Sequence, residues 1–134
     1  MPELPEVNTF QRYFDESALQ QRIARVEVHD DKSIRNMDGT SFAERLQGRT
    51  FTGSYRRGKY LFAQLDNGHH VLLHFGMTGD IKYYEDPLDK PKHERIAFVF
   101  DNGFQLGFDD PRKFARILYL EDLQAYIDSL PLGE

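Results

Sequence analysis

The sequence predicts an α+β fold, an antiparallel β-sandwich of about seven to eight strands flanked by an N-terminal helix and further short helices. Three observations support this. Apolar side chains repeat at helical spacing over residues 5–20. After Arg49 the chain turns to short runs rich in aromatic and β-branched residues. Asn-Gly turns at Asp66–Gly68 and Asp101–Gly103 each separate two such runs, as is typical of hairpins.

The first part of the chain contains the predicted helices. Residues 5–20 form the first helix, because Val7, Phe10 and Phe14 fall on one face. A strand is expected over residues 22–29, followed by a polar loop. A short helix over 41–47 should have Ser41 as its N-cap, Glu44 three residues later and Gly48 just beyond its end.

The remaining chain contains the predicted strands, with one closing helix over residues 121–129. A long loop rich in Lys and Asp contains Pro87 and Pro91. The expected strands are Phe51–Tyr55, Tyr60–Leu65, Val71–Phe75, Ile81–Tyr84, Ile96–Phe100, Phe104–Phe108 and Ile117–Leu120.

Composition limits the classes of function. With 134 residues and 40% apolar residues, the chain is long enough for one domain with a core. It has no apolar run of membrane-spanning length and no signal-peptide pattern, so no membrane partner is expected. The absence of Cys excludes disulfides and thiolate metal sites, and it fits the cytoplasm. We expect no metal site, and we place His69 and His70 at the surface.

The net charge of −5 argues against nucleic acid as a partner, but the distribution of charge favours it. Acids concentrate in residues 1–31 and 121–134, whereas residues 49–59 contain four cations and no acid. A second basic group follows at residues 112–116. Basic loops of this kind are sufficient for a local phosphate-binding face.

The N-terminus contains a candidate nucleophile. Trimming of Met1 would give Pro2 a free secondary amine, of which a useful fraction is neutral near pH 7. Attack of that amine on a sugar carbon gives a cationic iminium, and Glu3 and Glu6 could supply protons nearby. Alternatively, Pro5 and Glu6 simply begin a helix.

Three loops have side chains suited to DNA. Residues 55–61 place three cations around a glycine, where backbone can approach a phosphate. Residues 74–79 place Met77 between two glycines. Its side chain could insert between stacked bases, or it could lie buried beneath the loop. Residues 108–114 end in Arg112, Lys113 and Phe114, of which Phe114 could stack on a base or lie in the core.

Together these motifs resemble the formamidopyrimidine-DNA glycosylases. The resemblance rests, in order, on residues 2–7, 56–61, 74–79, 92–93, 101–103 and 110–114, and it extends over essentially the whole chain. It corresponds to an N-terminal catalytic domain over residues 1–134. The family's helix–two-turn–helix region and zinc finger would follow residue 134, so no cofactor is expected in this chain.

The resemblance implies a bifunctional DNA glycosylase and abasic-site lyase that acts as a monomer on double-stranded DNA with an oxidised purine. Pro2 would attack C1′, Glu3 would protonate the ring oxygen, Glu6 would support the site, and Lys59 would assist elimination. His93 and Arg112 would contact DNA, and Met77, Arg112 and Phe114 would fill the space of the flipped base. His74 and Lys113 complete the expected DNA-binding set.

The sequence departs from the family pattern at several positions. Asn8 and Gln11 replace a usual Glu and Arg, and Ala115 replaces a frequent Gly. Lys113 replaces a frequent Arg and cannot form the bidentate hydrogen bonds that an arginine forms with phosphate. Three alternatives stay open: an endonuclease VIII-like enzyme for oxidised pyrimidines, a non-catalytic damage-binding module, and a β-sandwich that binds protein. Because Leu4 stands where endonuclease VIII enzymes usually have Gly, purine lesions are favoured.

Overall fold

The computed structural model describes residues 3–57, 60–76, 79–111 and 115–129, with the side chains of residues 3–8 excluded. Three helices and eight strands lie within these ranges. In chain order they are α1 (Glu3–Ala18), β1 (Ile23–Val28), α2 (Gly39–Leu46), β2 (Phe51–Arg57), β3 (Tyr60–Leu65), β4 (His70–His74), β5 (Asp80–Tyr84), β6 (Glu94–Phe100), β7 (Gln105–Asp109), β8 (Arg116–Leu120) and α3 (Leu123–Asp128). Short 3-10 turns occur at Asp31–Ser33 and Pro87–Asp89.

The strands form two four-stranded sheets, and every pairing within them is antiparallel. The first sheet has the order β1-β6-β7-β5, and the second has the order β2-β3-β4-β8. The predicted α+β sandwich of about seven to eight strands is therefore confirmed. None of the helices in the described ranges is long and apolar enough to cross a membrane.

The core lies between the two sheets and beneath α1. Phe51 of β2 is central, with its ring 5.0 Å from Phe14 of α1 and 5.6 Å from Phe98 of β6. Phe14, Phe98 and Phe100 are almost completely buried. Burying one such side chain contributes about 1.5–3 kcal/mol, so this aromatic group holds the helix and both sheets together.

A smaller apolar cluster covers the outer face of the β2-β3-β4-β8 sheet. Phe62 and Leu72 are buried there, and Leu123 and Tyr126 of α3 pack against them. The ring of Tyr126 lies 6.3 Å from that of Phe62. The closing helix thus has a structural role, because it removes part of this face from water.

Both predicted hairpins are confirmed. The turn at Asp66–Gly68 joins β3 to β4, and the turn at Asp101–Gly103 joins β6 to β7. Gly68 and Gly103 have φ angles of 85° and 92°, which only glycine adopts readily.

The predicted N-cap of α2 is wrong. Helix α2 begins at Gly39, and its N-cap is Asp38, whose carboxylate accepts a hydrogen bond from the Ser41 backbone N–H at 2.7 Å. Ser41 therefore lies inside the first turn. Gly48 does follow the helix with a φ of 83°, as expected.

Candidate active site

One end of the sandwich gathers the segments that the sequence singles out. Arg57, Tyr60, His74 and Arg116 are successive cross-strand partners on β2, β3, β4 and β8. Therefore the chain leaves β2 and β4, and enters β3 and β8, at the same end of this sheet. We call it the loop end.

The other sheet meets the first at the loop end. Asp109, the last residue of β7, pairs with both Asp80 and Glu94, the first residues of β5 and β6. The connections β4–β5 and β7–β8 each cross from one sheet to the other at this end. The connections β4–β5 and β7–β8 are thus neighbouring bridges between the sheets.

Helix α1 points its first residue towards the loop end. Near its C-terminus, the Gln20 N–H donates to the Phe51 carbonyl at the start of β2, at 2.7 Å. Further back, Gln11 donates to the Ser54 hydroxyl at 3.1 Å. Phe10 packs on Phe75 with ring centroids 4.3 Å apart, just beyond β4. From the C-terminus of α1 to its N-terminus, these contacts lie progressively closer to the loop end. Glu3, the first residue of α1, therefore lies at the loop end.

The loop at residues 75–79 is closed tightly by its backbone. The Gly79 N–H donates to the Phe75 carbonyl at 2.8 Å, and Gly76 has a φ of 62°. A Cβ atom at position 79 would lie 2.4 Å from the Phe75 carbonyl oxygen. Position 76 therefore favours glycine because of its backbone conformation, and position 79 requires glycine because a side chain would clash with the Phe75 carbonyl.

The connection β7–β8 is tethered by a buried carboxylate. Asp110 is fully buried, and its Oδ2 accepts a hydrogen bond from the Ala115 N–H at 2.9 Å. Arg95 Nε donates to the Asp110 carbonyl at 2.9 Å. These bonds fix both ends of the segment that contains residues 112–114. The sequence analysis assigned no role to Asp110 or Arg95, although an Asp before Pro111 is a familiar turn signal.

His93 is held at the loop end through its backbone. Its N–H donates to Asp109 Oδ1 at 2.9 Å, and its carbonyl accepts from the Asp110 N–H at 3.1 Å. His93 itself is partly exposed. The histidine is therefore placed beside the tethered connection between β7 and β8.

Beside His93 lies a buried polar cluster that the sequence did not reveal. The Glu94 side chain, 1% exposed, accepts a hydrogen bond from the Tyr84 hydroxyl and lies 3.0 Å from His29 Nε2. Burial first, and then the neighbouring Glu94 carboxylate, raise the pKa of the Tyr84 hydroxyl. Glu94 Oε2 occupies the space over Gly107, where a Cβ atom would lie only 2.2 Å away.

Of the ten predicted site residues, His74 and His93 are described with their side chains, and both lie at the loop end. Glu3 and Glu6 belong to α1, but their side chains fall outside the described atoms. The other six lie outside the described residues: Pro2, Lys59, Met77, Arg112, Lys113 and Phe114. The roles predicted for all ten residues stay predictions.

His69 and His70 are partly exposed, close to the predicted surface position. His69 Nδ1 lies 2.6 Å from the Tyr119 hydroxyl. Burial, and to a lesser degree His69, lower the pKa of His70. His69 thus has a neutral hydrogen-bonding partner, as expected of a structural histidine.

Comparison with known proteins places this arrangement in a family. Residues 1–117 match the family model of the formamidopyrimidine-DNA glycosylase N-terminal domain. The formamidopyrimidine-DNA glycosylase of Moorella thermoacetica is 39% identical over 131 residues, covering 98% of this chain and 47% of the relative. That of Thioalkalivibrio sulfidiphilus is 35% identical, covering 100% of this chain and 51% of the relative. The chain thus spans about half the length of these relatives.

Solved structures give the same result. The Lactococcus lactis formamidopyrimidine-DNA glycosylase in complex with Fapy-dG-containing DNA has a TM-score of 0.85 and 26% identity, covering 94% of this chain and 47% of that chain. The same enzyme bound non-covalently to DNA with an abasic site also has a TM-score of 0.85, with coverages of 93% and 48%. By sequence and by fold, the chain belongs to the formamidopyrimidine-DNA glycosylase family.

Proposed function

We propose that the protein supplies the catalytic part of a base-excision repair enzyme that removes oxidised purines from DNA and then cuts the strand. The observation that carries this proposal is the convergence at the loop end. The start of α1, the end of β2 and the connections β4–β5 and β7–β8 meet there. A flipped nucleotide must touch residues from each of these segments at once.

In the proposed mechanism the Pro2 nitrogen attacks C1′ as the bond from C1′ to the damaged base breaks, and the N–H proton that the amine loses neutralises the departing base. Glu3 protonates the sugar ring oxygen, the ring opens, and the nitrogen lone pair forms a cationic iminium with C1′. The iminium draws electrons from the bond between C2′ and its proton. Loss of that proton expels the 3′ phosphate, with Lys59 assisting the elimination and contacting phosphate. Glu6 supports the site.

The proposed DNA contacts come from the two bridges and from the start of β6. Met77, Arg112 and Phe114 would fill the space left by the flipped base, while His93, Lys113 and His74 would contact the strand. The fixed backbone of His93 and the carboxylate tether at Asp110 support this, because preorganised groups lose little entropy on binding. Action on DNA would place the protein in the cytoplasm, and we expect it to act as a monomer.

The test is a borohydride trap, which reduces an iminium to a stable covalent adduct. The chain would be fused ahead of the C-terminal half of the Moorella thermoacetica relative and mixed with duplex DNA that has an abasic site. One preparation has Met1 removed, and the other keeps it. Only the trimmed protein should be trapped, because Met1 converts the Pro2 nitrogen into a tertiary amide without a usable lone pair.

Peptide mapping of the adduct should place the DNA on Pro2. Equal trapping of the two preparations would show that Pro2 is not the nucleophile, and Lys59 would then be the best remaining amine. Binding of the abasic duplex without any trapping would favour the non-catalytic damage-binding alternative. A glycosylase assay with oxidised purine and oxidised pyrimidine substrates separates the proposed specificity from that of an endonuclease VIII-like enzyme.

A further inference from the structure

A row of polar side chains crosses the outer face of the β2-β3-β4-β8 sheet at the loop end. Arg57, Tyr60, His74 and Arg116 are direct cross-strand partners, so their side chains point to the same face. Tyr60 belongs to the apolar cluster on the outer face, whereas Leu73, the residue before His74, lies in the core between the sheets. We call these four residues the outer row.

Arg116 contacts the imidazole of His74 directly. Its Nη2 lies 3.5 Å from His74 Nδ1, while the Tyr60 ring is 5.1 Å from the imidazole on the other side. A guanidinium has donors only, so Nδ1 must be the acceptor in this contact. The proton of the neutral imidazole then sits on Nε2.

Arg57, at the other end of the outer row, has a donor to satisfy. Its Nε is buried and has no hydrogen-bond partner among the residues that the structure describes. A buried donor without a hydrogen bond costs free energy, and an anionic oxygen would be a suitable acceptor for it. From β2 to β8 the row crosses three strand spacings, or about 14 Å. This length is several times the axial rise of about 3.4 Å per nucleotide in one DNA strand, so the row can face more than one phosphate.

We propose that Arg116 is a phosphate-contacting and positioning residue in DNA recognition. It adds a cation for the phosphodiester backbone, and it holds His74 as the tautomer with its proton on Nε2. This inference rests on the proposed function, since it takes DNA as the ligand. It extends the DNA-binding surface from the loops onto the sheet, to a residue that the sequence analysis included in a basic group without giving it a role of its own.

The positioning role is tested by nitrogen-15 NMR of the His74 ring in this chain without DNA. Arg116→Leu should move the Nδ1 signal towards that of a nitrogen that accepts no hydrogen bond. Arg116→Gln keeps a neutral N–H donor and should restore the signal at least in part. An unchanged Nδ1 signal in Arg116→Leu would overturn the positioning role, and thermal unfolding of each variant checks that the fold is retained.

The phosphate contact is tested by the salt dependence of binding to a duplex with an abasic-site analogue, measured from low salt upwards. Arg116→Leu and Arg116→Gln should each reduce the slope of log K against log salt by about 0.9, the value for one lost phosphate contact. Arg22→Leu is the matched control, because it removes an arginine that pairs with Asp101 at the opposite end of the sandwich. Its slope should equal that of the unmodified chain.

An unchanged slope in Arg116→Leu, with the unmodified chain still binding, would overturn the phosphate contact while leaving the proposed function intact. If the unmodified chain, alone and fused to the relative's C-terminal half, binds no DNA at any salt concentration, the proposed function fails. The NMR measurement still reports on Arg116 in that case, so the two failures are distinguishable.

Discussion

At the scale of single residues, the buried Glu94 carboxylate organises the start of β6. It lies between Tyr84 and His29, and its position is possible only because Gly107 has no side chain. The backbone of Gly107 does not lie in the left-handed region, so its requirement for glycine comes from Glu94 alone. A glycine within a strand usually weakens it, and here it provides space for a buried polar side chain.

We therefore expect Gly107→Ala to lower the free energy of unfolding by about 1–3 kcal/mol, the cost of leaving a buried polar group without its partner. Urea denaturation measures this. In a Glu94→Ala background the same substitution should cost much less, because the obstructing carboxylate is gone. Additive effects of the two substitutions would show that Glu94 and Gly107 do not compete for this space.

None of this cluster could be predicted from local patterns. His29 and Glu94 are separated by 65 positions, and only the pairing of β1 with β6 brings them together. The sequence did indicate His93, because it lies in a motif of neighbouring residues. The partners that hold His93 in place come from another strand, and an isolated sequence does not give strand order.

At the scale of elements, the connections between strands determine the candidate site. Local turn chemistry predicted both hairpins, since Asn-Gly turns satisfy a backbone requirement within a few residues. It failed at the start of α2 because Asp38 and Ser41 are both good capping residues, and the backbone geometry decided for Asp38. The β7–β8 connection has a similar local bond, which the Ala115 N–H donates to the Asp110 carboxylate and which links the two ends of the connection.

Asp110→Ala should leave the buried Ala115 N–H without its acceptor, and we expect a loss of about 1–3 kcal/mol in the free energy of unfolding. DNA binding by the fused enzyme should fall as well, because residues 112–114 lose their tether. Asp110→Asn retains an acceptor oxygen and is the matched control, with smaller losses of both stability and affinity. Urea denaturation and fluorescence anisotropy measure the two effects. Full DNA affinity in Asp110→Ala would show that the tether does not position the segment.

At the scale of the whole molecule, the net negative charge is compatible with the proposed DNA contact because the charges are unevenly distributed. Several arginines outside the outer row are paired with carboxylates, and these are Arg22, Arg25, Arg45, Arg49 and Arg95. Their fields are largely cancelled at short range. The proposed contribution of this chain to DNA binding is therefore concentrated at the loop end.

This distribution leads to a prediction for the 134-residue chain without further domains. The two arginines of the outer row can neutralise about two phosphates, and Lys59 and Lys113 of the proposed site about two more, so the slope of log K against log salt should be about −4. Electrostatic repulsion between DNA and a chain of net charge −5 opposes the affinity gained from these contacts. We expect binding to undamaged duplex to be weaker than micromolar at physiological salt, as measured by fluorescence anisotropy over a salt series.

The fusion with a relative's C-terminal half should bind more tightly and with a steeper slope, because it adds contacts to the same strand. Submicromolar binding by the chain alone would mean that the loop end and outer row outweigh the acidic surface, and that the net charge is a poor guide to this domain's partners.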